Sequence, residues 1–270
     1  MSSFPAEQIA QIGSFPITNT LLHTLLVDGV LIAITIFATK NIKKIPTGFQ
    51  NIVEYAIESY YNLTESIAPK TALYIFPFVM SFFLFIVVAN FTALLPGVGT
   101  IGFFKHAPAV AESHNTHGTE PEIKQTGHAS GKEEFVPILR GPTSDINVTL
   151  ALAVISVFAT HVLSIKLTGI KDYLGRYFSL NPINLYVGLL ELVAEVTKVV
   201  SLSFRLFGNI FAGEVALATV SKIFAFLFPL PFLLLESIVA VVQALVFSML
   251  TLVFMAILTT PHHAHEEAHH

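Results

Sequence analysis

The chain has 270 residues, of which 53% are hydrophobic and 12% are charged, whereas roughly a quarter of the residues of a soluble domain carry charge. Its net charge of −4 excludes the strongly basic surface of a nucleic-acid-binding protein. The absence of cysteine excludes a disulfide framework and a thiolate metal site. Because the apolar residues come in long blocks, the composition predicts a membrane protein with several spans.

The first apolar segment, residues 17–39, is long enough to cross a bilayer, and three lysines follow it at 40, 43 and 44. Positive residues flank membrane spans on the cytoplasmic side, so we expect the N-terminus to lie outside. The opening MSSFPAEQIA lacks a charged region before an apolar core, and it therefore does not resemble a cleavable signal peptide.

Residues 47–67 have a different pattern. Apolar side chains recur at three- and four-residue steps from Phe49 to Ile67, while glutamate, glutamine and asparagine fill the opposite face. This pattern predicts an amphipathic helix that is too polar to span and that lies in the plane of the cytoplasmic interface. A soluble helix that packs on a partner is the alternative.

The middle of the chain contains two further spans around a polar loop. Residues 72–95 form the second span and end at a Pro-Gly pair. Residues 98–143 form a long outer loop that is rich in histidine and glutamate. Residues 146–165 form the third span, which returns to Lys166, Lys171 and Arg176. These positive residues predict the same topology as the three lysines after the first span.

The last two apolar blocks are longer than a perpendicular span requires. As helices, residues 183–228 would be roughly 69 Å long and residues 232–260 roughly 43 Å, against about 30 Å of hydrocarbon. Two prolines, at 229 and 231, separate the blocks. We therefore expect a long, strongly tilted helical hairpin, followed by a histidine-rich cytoplasmic tail at 261–270.

The predicted fold is thus one all-α polytopic membrane domain. It contains three roughly perpendicular spans, one in-plane amphipathic helix and the tilted C-terminal hairpin.

The most informative charge lies within the penultimate block. Arg205 falls inside SLSFRLFGNIFAGE, and a permanently charged guanidinium at membrane depth normally marks an ion pathway or a counter-ion. At 100° per residue, Glu191, Lys198 and Asn209 lie within about 40° of Arg205, and Glu195 within about 80°. Glu214 lies about 180° away and roughly 13 Å further along the helix.

The final helix carries two more polar residues on one face, Glu236 and Gln243. If the two long helices pack antiparallel, Gln243 reaches the level of Arg205 and Glu236 approaches Glu214. A fixed cation would then separate two sets of carboxylates, and carboxylates in a low dielectric can carry protons. The alternative is an internal salt bridge from Arg205 to Glu195 or Glu214 that only joins helices.

Three segments carry a family resemblance. They are SLSFRLFGNIFAGE, the glutamate and glutamine seven residues apart in ESIVAVVQALVFSMLTLVF, and SDINVTLALAV at residues 144–154. Together they resemble subunit a of F-type ATP synthases, and the order of elements follows that family over nearly the whole chain. The resemblance is weakest at residues 1–16, in the outer loop and in the tail.

The resemblance implies a stationary subunit that faces a rotating ring of small hairpin subunits, the c-ring. Each ring subunit carries one carboxylate at mid-membrane, and two aqueous half-channels reach that level from opposite sides. The other implied partners are the b subunits of a peripheral stalk and the lipid bilayer. The implied location is the bacterial plasma membrane, and the implied ion is H⁺, with Na⁺ as the alternative. No cofactor, metal or catalytic residue is implied.

Several residues match the family position by position. Arg205 matches the essential arginine, which attracts each ionised ring carboxylate and stops protons from leaking between the half-channels. Gln243 matches the glutamine that faces the arginine, and Glu191 matches an acidic position at the cytoplasmic exit. The positions of the outer half-channel are matched by Asn209, Glu214 and Glu236.

Three more residues are candidates for the same pathway. Asp145 and Asn147, at the outer end of the third span, would line the entrance, although Asp145 could equally be a helix N-cap. Glu195 is included because of its position on the helical wheel. His161 and Lys222 lie near helix ends, where Lys222 can snorkel to the interface.

Two other classes of function compete with this one. A secondary or metal-ion transporter would use the histidine-rich loop and tail as a metal trap. Transporters place ligand residues in facing pairs at mid-membrane, often within internal repeats, but most histidines here lie outside the apolar blocks and no repeat is evident. A structural scaffold would not need Arg205.

Overall fold

The structure, a computed structural model, describes residues 8–12, 15–40, 42, 48–95, 97–99, 101–106, 133–177, 182–223 and 229–260. The α-helices in these ranges are α1 (Asn19–Thr39), α2 (Phe49–Ile67), α3 (Ala72–Ala93), α4 (Ile146–Thr168), α5 (Ile170–Tyr177), α6 (Pro182–Ile223) and α7 (Pro229–Thr259). The short strands are β1 (Gln8–Ile12), β2 (Phe15–Thr18), β3 (Gly102–His106) and β4 (Glu133–Pro137). One 3₁₀ turn, Pro142–Ser144, precedes α4.

The long helices make this an all-α polytopic membrane protein, as the sequence predicts. Within the described part of the chain, α1, α3, α4 and α7 are each long and apolar enough to cross a bilayer. The longest helix, α6, is outside this set of four; it is an uninterrupted helix of 42 residues that carries the Arg205 motif. At the standard rise it is roughly 63 Å long.

The start of α7 differs from the sequence prediction. α7 begins at Pro229 rather than at residue 232, so Pro229 and Pro231 lie in its first turn. Proline is tolerated in the first helical turn, where the missing N–H has no intrahelical partner in any case. The connection to α6 over residues 224–228 lies outside the described ranges.

The two ends of the predicted outer loop contain short strands. These strands form an antiparallel hairpin in which Gly102 of β3 pairs with Pro137 of β4, and β1 and β2 form a second hairpin before α1. Five-residue strands are too short to show a clear period-two pattern in the sequence. The histidines that the alternative transporter hypothesis would use as a metal trap, at 114, 117 and 128 and in the tail, lie outside the described residues.

The helices pack into a bundle around α7. Side-chain contacts at both ends show that α3 runs antiparallel to α7: Asn90 Nδ2 donates to the Ala240 carbonyl at 3.4 Å, and the hydroxyls of Thr71 and Thr259 lie 3.5 Å apart. Helix α4 runs parallel to α7, with Ser164 Oγ donating to the Leu258 carbonyl at 2.7 Å.

These contacts define two ends of the bundle. The hairpin end contains β3, β4 and the 3₁₀ turn, where Thr143 Oγ1 donates to Asn90 Oδ1 at 2.7 Å. The α5 end contains the start of α3, the end of α4 and the end of α7.

The amphipathic helix α2 joins this bundle through its C-terminal half. Tyr60 is buried, donates to Ser248 Oγ of α7 at 2.5 Å, and stacks on Phe83 of α3 with ring centroids 5.1 Å apart. In the first half of the helix, Ile52 and Tyr55 are exposed. The apolar face predicted from the sequence is therefore buried by the protein itself at one end only.

Candidate functional site

Arg205 lies on the face of α6 that points away from the rest of the bundle. Its side chain is exposed, and it is flanked by exposed apolar residues, including Val200 and Phe204. Among the described residues, its guanidinium forms no ion pair or hydrogen bond; in particular, Glu195 pairs with Lys198 instead. Within those residues, the structure therefore does not contain the internal salt bridge that was the alternative explanation of Arg205.

One helical turn further on, α6 is hydrogen-bonded to α7. Asn209 Nδ2 donates to Gln243 Oε1 at 2.6 Å, and the Gln243 side chain is buried. The two helices pack antiparallel, so Gln243 lies one turn from Arg205, as expected from the sequence. Gln243 Nε2 is buried without a hydrogen-bond partner among the described residues.

Glu214 and Glu236 face the interior of the bundle near the hairpin end. Both line a cavity of about 370 Å³ between α3, α6, α7 and the segment before α4. The carboxylate of Glu236 lies directly against Gly213, which has no side chain to displace it. Glu214 Oε2 is buried, with no hydrogen-bond partner in the described ranges. Arg205 and Glu214 thus occupy opposite sides of one helix, as the helical wheel predicts.

The same cavity contains a cation that the sequence reasoning missed. Arg140 is only 4% exposed and lines the cavity together with Asn90 and Ser144. In the sequence, Arg140 is one of the four lysine and arginine residues of the outer loop at 98–143. It is buried because the following segment packs closely on α3: a Cβ at Gly141 would lie 2.9 Å from the Cβ of Ala93. The only sequence signal was its position just before an apolar helix.

Asp145 and Asn147 are placed away from this cavity. Asp145 is the N-cap of α4, where its Oδ1 accepts from the Asn147 backbone N–H at 2.9 Å. Its Oδ2 accepts from the Thr20 hydroxyl at 3.1 Å. Ser144 lines the cavity, whereas Asp145 and Asn147 do not. For Asp145, the structure therefore shows the capping contact that the sequence left as the alternative to a lining role.

A second polar cluster lies between α4, α5 and α6 at the α5 end. Glu195 is buried, with Oε1 at 2.7 Å from Lys198 Nζ and Oε2 at 3.5 Å from His161 Nε2. His161 Nδ1 is 3.0 Å from the Tyr173 hydroxyl. The sequence predicted that Glu195 shares the Arg205 face, but an offset of about 80° is enough to turn it towards α4.

Tyr177, at the end of α5, connects this cluster to Glu191. Burial raises the pKa of the Tyr177 hydroxyl well above its usual value, and the nearby negative charges of Glu195 and Glu191 raise it further. Glu191 therefore lies close enough to the cluster to act on it electrostatically. The charged residues of α6 form two groups, one at each end of the bundle, with Arg205 between them.

Comparisons with known proteins identify the family of this chain. The chain matches the family described as ATP synthase A chain over residues 21–256. It is also similar to the ATP synthase subunit a of Moorella thermoacetica, with 27% identity over 249 residues that cover 92% of this chain and 94% of that protein. The family match covers far more than half of the chain and includes the whole of α6. The chain therefore belongs to the ATP synthase A chain family.

Proposed function

We propose that this chain is the proton-conducting stator subunit of a rotary ATP synthase and has no catalytic activity by itself. Arg205 carries the proposal: it is a permanent cation exposed on an apolar helix face, and no described residue of this chain pairs with it. Such a charge is costly in lipid, so its counter-charge must come from another molecule. The partner that fits is a ring of small hairpin subunits, each with a mid-membrane carboxylate.

The surface around Arg205 suits a closely packed moving partner. Ser201, Gly208 and Ala212 are exposed beside it, and a Cβ at Gly208 would meet nothing within 4 Å. Small residues allow helix backbones to approach closely. The ring helices could then pass α6 with their carboxylates at the level of Arg205.

Two access routes would reach the ring from opposite ends of the bundle. The cavity at the hairpin end would admit protons from outside, and Glu214 and Glu236 would pass them to a ring carboxylate. After nearly a full turn, that carboxylate would release its proton towards Glu191 at the α5 end. Arg205 would prevent direct passage between the routes, because a fixed positive charge repels a proton or hydronium.

The Asn209–Gln243 contact would hold α7 against α6 at the level of this barrier. Asn209 would therefore act through its hydrogen bond to Gln243. This hydrogen bond lies between the outer cavity and Arg205. Because Asp145 caps α4, it would affect this route only by fixing the position of α4.

Rotation requires that the pairing with Arg205 be loose. One proton crossing 100 mV releases about 2.3 kcal/mol, whereas breaking a dry, buried ion pair costs about 3–5 kcal/mol. The exposed position of Arg205 favours a pair separated by water. A short direct salt bridge in every rotary state of the complex would contradict this part of the proposal.

The orientation and the remaining partners are also part of the proposal. The basic residues after α1 and α4 favour a cytoplasmic α5 end, so that the N-terminus is outside and the C-terminus is cytoplasmic. The b subunits of a peripheral stalk would hold the chain in a bacterial plasma membrane. The length of α6 favours a strong tilt of the α6–α7 hairpin.

The test uses the intact complex, purified in mild detergent and returned to vesicles. A ring of small proteolipids should copurify with the chain. Arg205→Ala should abolish both ATP synthesis and ATP-driven proton pumping, because α6 has no second arginine to supply the fixed charge. Lys222→Ala, which removes an exposed cation from the same helix, should leave coupling intact. Normal coupled activity of Arg205→Ala would refute the proposal.

A further inference from the structure

We infer that His161 of α4, held between Glu195 and Tyr173, is a proton-carrying residue on the α5 side of Arg205. This inference rests on the proposed function and deepens it, because it names a group that moves the proton between Glu191 and the cytoplasm.

The first step of the argument is geometric. His161 is contacted through both ring nitrogens by side chains of two other helices: Nε2 lies 3.5 Å from Glu195 Oε2, and Nδ1 lies 3.0 Å from the Tyr173 hydroxyl. The Tyr173 ring also meets the imidazole edge-on, with centroids 5.9 Å apart. A hydrogen bond at one nitrogen and a charged contact at the other hold the imidazole in one orientation, which proton transfer requires.

The second step concerns charge. Glu195 presents one oxygen to Lys198 at 2.7 Å and the other to His161, so an imidazolium would find a carboxylate already in place. Lys198 also lies over the Phe254 ring of α7, 4.8 Å from its centroid. The other described titratable groups facing this cluster are Tyr177 of α5 and Glu191 of α6.

The proton balance is simple. In the neutral ring, Nε2–H points at the Glu195 carboxylate and Nδ1 accepts from the Tyr173 hydroxyl. Uptake makes an Nδ1–H bond as the Tyr173 O–H bond breaks and the tyrosine oxygen takes a proton from water. Release towards Glu191 breaks the Nε2–H bond as the Glu195 carboxylate accepts that proton, so the proton leaves on the side opposite to its entry. Proton exchange with water at the two nitrogens then restores the first tautomer, and Tyr173 begins and ends neutral. Histidine suits this role because its imidazole has two ring nitrogens, one of which can accept a proton while the other donates one.

The third step is access. The His161 side chain is 23% exposed, whereas that of Glu195 is 10% exposed. Water, or a small base in solution, can therefore reach the imidazole while the carboxylate beneath it remains largely shielded. This is the arrangement expected of the last protonatable group before solvent.

The competing explanation is that His161 only ties α5 to α4. A tie requires a hydrogen bond but no titration, and glutamine keeps the hydrogen-bonding capacity of histidine without carrying a proton. His161→Gln therefore separates the two roles. Tyr173→Phe keeps the ring packing and removes only the hydroxyl, so it tests the same pathway with little risk to folding.

The experiment uses the whole ATP synthase in inverted vesicles, with the cytoplasmic face outwards. ATP-driven proton pumping, divided by the ATP hydrolysis rate, is measured across external pH values with and without added imidazole. We expect His161→Gln to lower pumping about tenfold and to weaken its dependence on external pH, because positioned proton-transfer groups contribute about 100-fold or more and water replaces them in part. Added imidazole should restore most of the loss.

The remaining variants provide a second test and the controls. Tyr173→Phe should flatten the profile in the same way, and the control Tyr74→Phe, which removes an exposed hydroxyl at the same end of the bundle, should not change it. An unchanged profile in His161→Gln overturns the inference. If that variant does not assemble, an unchanged profile in Tyr173→Phe overturns it instead. Normal pumping by Arg205→Ala in parallel would mean that the proposed function, rather than this inference, has failed.

Discussion

Gly213 offers a sharp test of the outer route, because it is the neighbour of Glu214 in sequence and of Glu236 in space. A Cβ added at Gly213 would lie 2.8 Å from the Glu236 carboxyl carbon and closer still to Oε1. Gly213→Ala therefore places a methyl group where the carboxylate now lies.

The size of the effect follows from that contact. The Glu236 carboxyl carbon must move from 2.8 Å to at least 3.4 Å from the new methyl group, where ordinary van der Waals contact begins. The moving atoms are the end of a flexible side chain, so the fold should tolerate the change. A proton acceptor displaced by up to an ångström, however, can cost about 100-fold in transfer rate. We expect proton-driven ATP synthesis to fall about 10- to 100-fold while the amount of assembled complex stays normal.

The assay compares ATP synthesis with assembly in four variants. Gly29→Ala is the matched control, because it is a glycine in the middle of α1 with nothing within 4 Å of its added Cβ. Gly213→Ala combined with Glu236→Asp shortens the acid by one methylene and should recover part of the activity, whereas Glu236→Asp alone should lose activity. If Gly213→Ala synthesises ATP at the normal rate, the position of the Glu236 carboxylate does not matter. If the effects of the two changes are simply additive, the added methyl group does not act through Glu236. Either result would refute the reasoning.

Three further results are expected. Asp145→Asn keeps an N-capping oxygen and a partner for Thr20, so it should leave proton pumping near normal; a loss as large as that of Arg205→Ala would instead assign Asp145 a proton-carrying role. Tyr60→Phe removes the bond to Ser248 and should cost about 1 kcal/mol, seen as a fall of roughly 2–4 °C in the unfolding temperature with little change in pumping; an unaltered unfolding temperature would count against the docking of α2. Burial raises the pKa of Tyr177, so its contribution to stability is complete below the unfolded pKa of about 10 and is lost as the pH rises through the folded value; Tyr177→Phe should be less sensitive to high pH in thermal unfolding, and equal sensitivity would refute this.

The features that could be predicted from the sequence depend on helix regularity. Arg205 and Glu214 lie on opposite sides of α6 because nine residues at 100° each amount to two and a half turns. Gln243 meets Asn209, and Glu236 enters the cavity that Glu214 lines, because two long helices joined by a short connection pack antiparallel. These relations hold wherever the helix is continuous.

The features that could not be predicted depend on contacts between distant segments. Arg140 is buried because Gly141 packs on Ala93, and nothing near Arg140 in the sequence indicates that approach. His161 gave no signal beyond its place near a helix end, since its partners come from α5 and α6. For Asp145, in contrast, the sequence was sufficient, because an N-cap depends only on neighbouring residues. The sequence analysis included the N-cap as one of two possible roles for Asp145.

The continuity of α6 has a mechanical consequence. Arg205 and Glu214 are fixed points on one unbroken helix, nine residues apart, so they cannot approach or separate without breaking backbone hydrogen bonds. If Arg205 is the proposed barrier and Glu214 the proposed outer entry point, their spacing, roughly 13 Å along the helix axis, would therefore not change during a working cycle. In the proposed mechanism, α6 would thus keep a fixed distance between these two positions. The timing of each proton step would then be set by the ring that moves past α6.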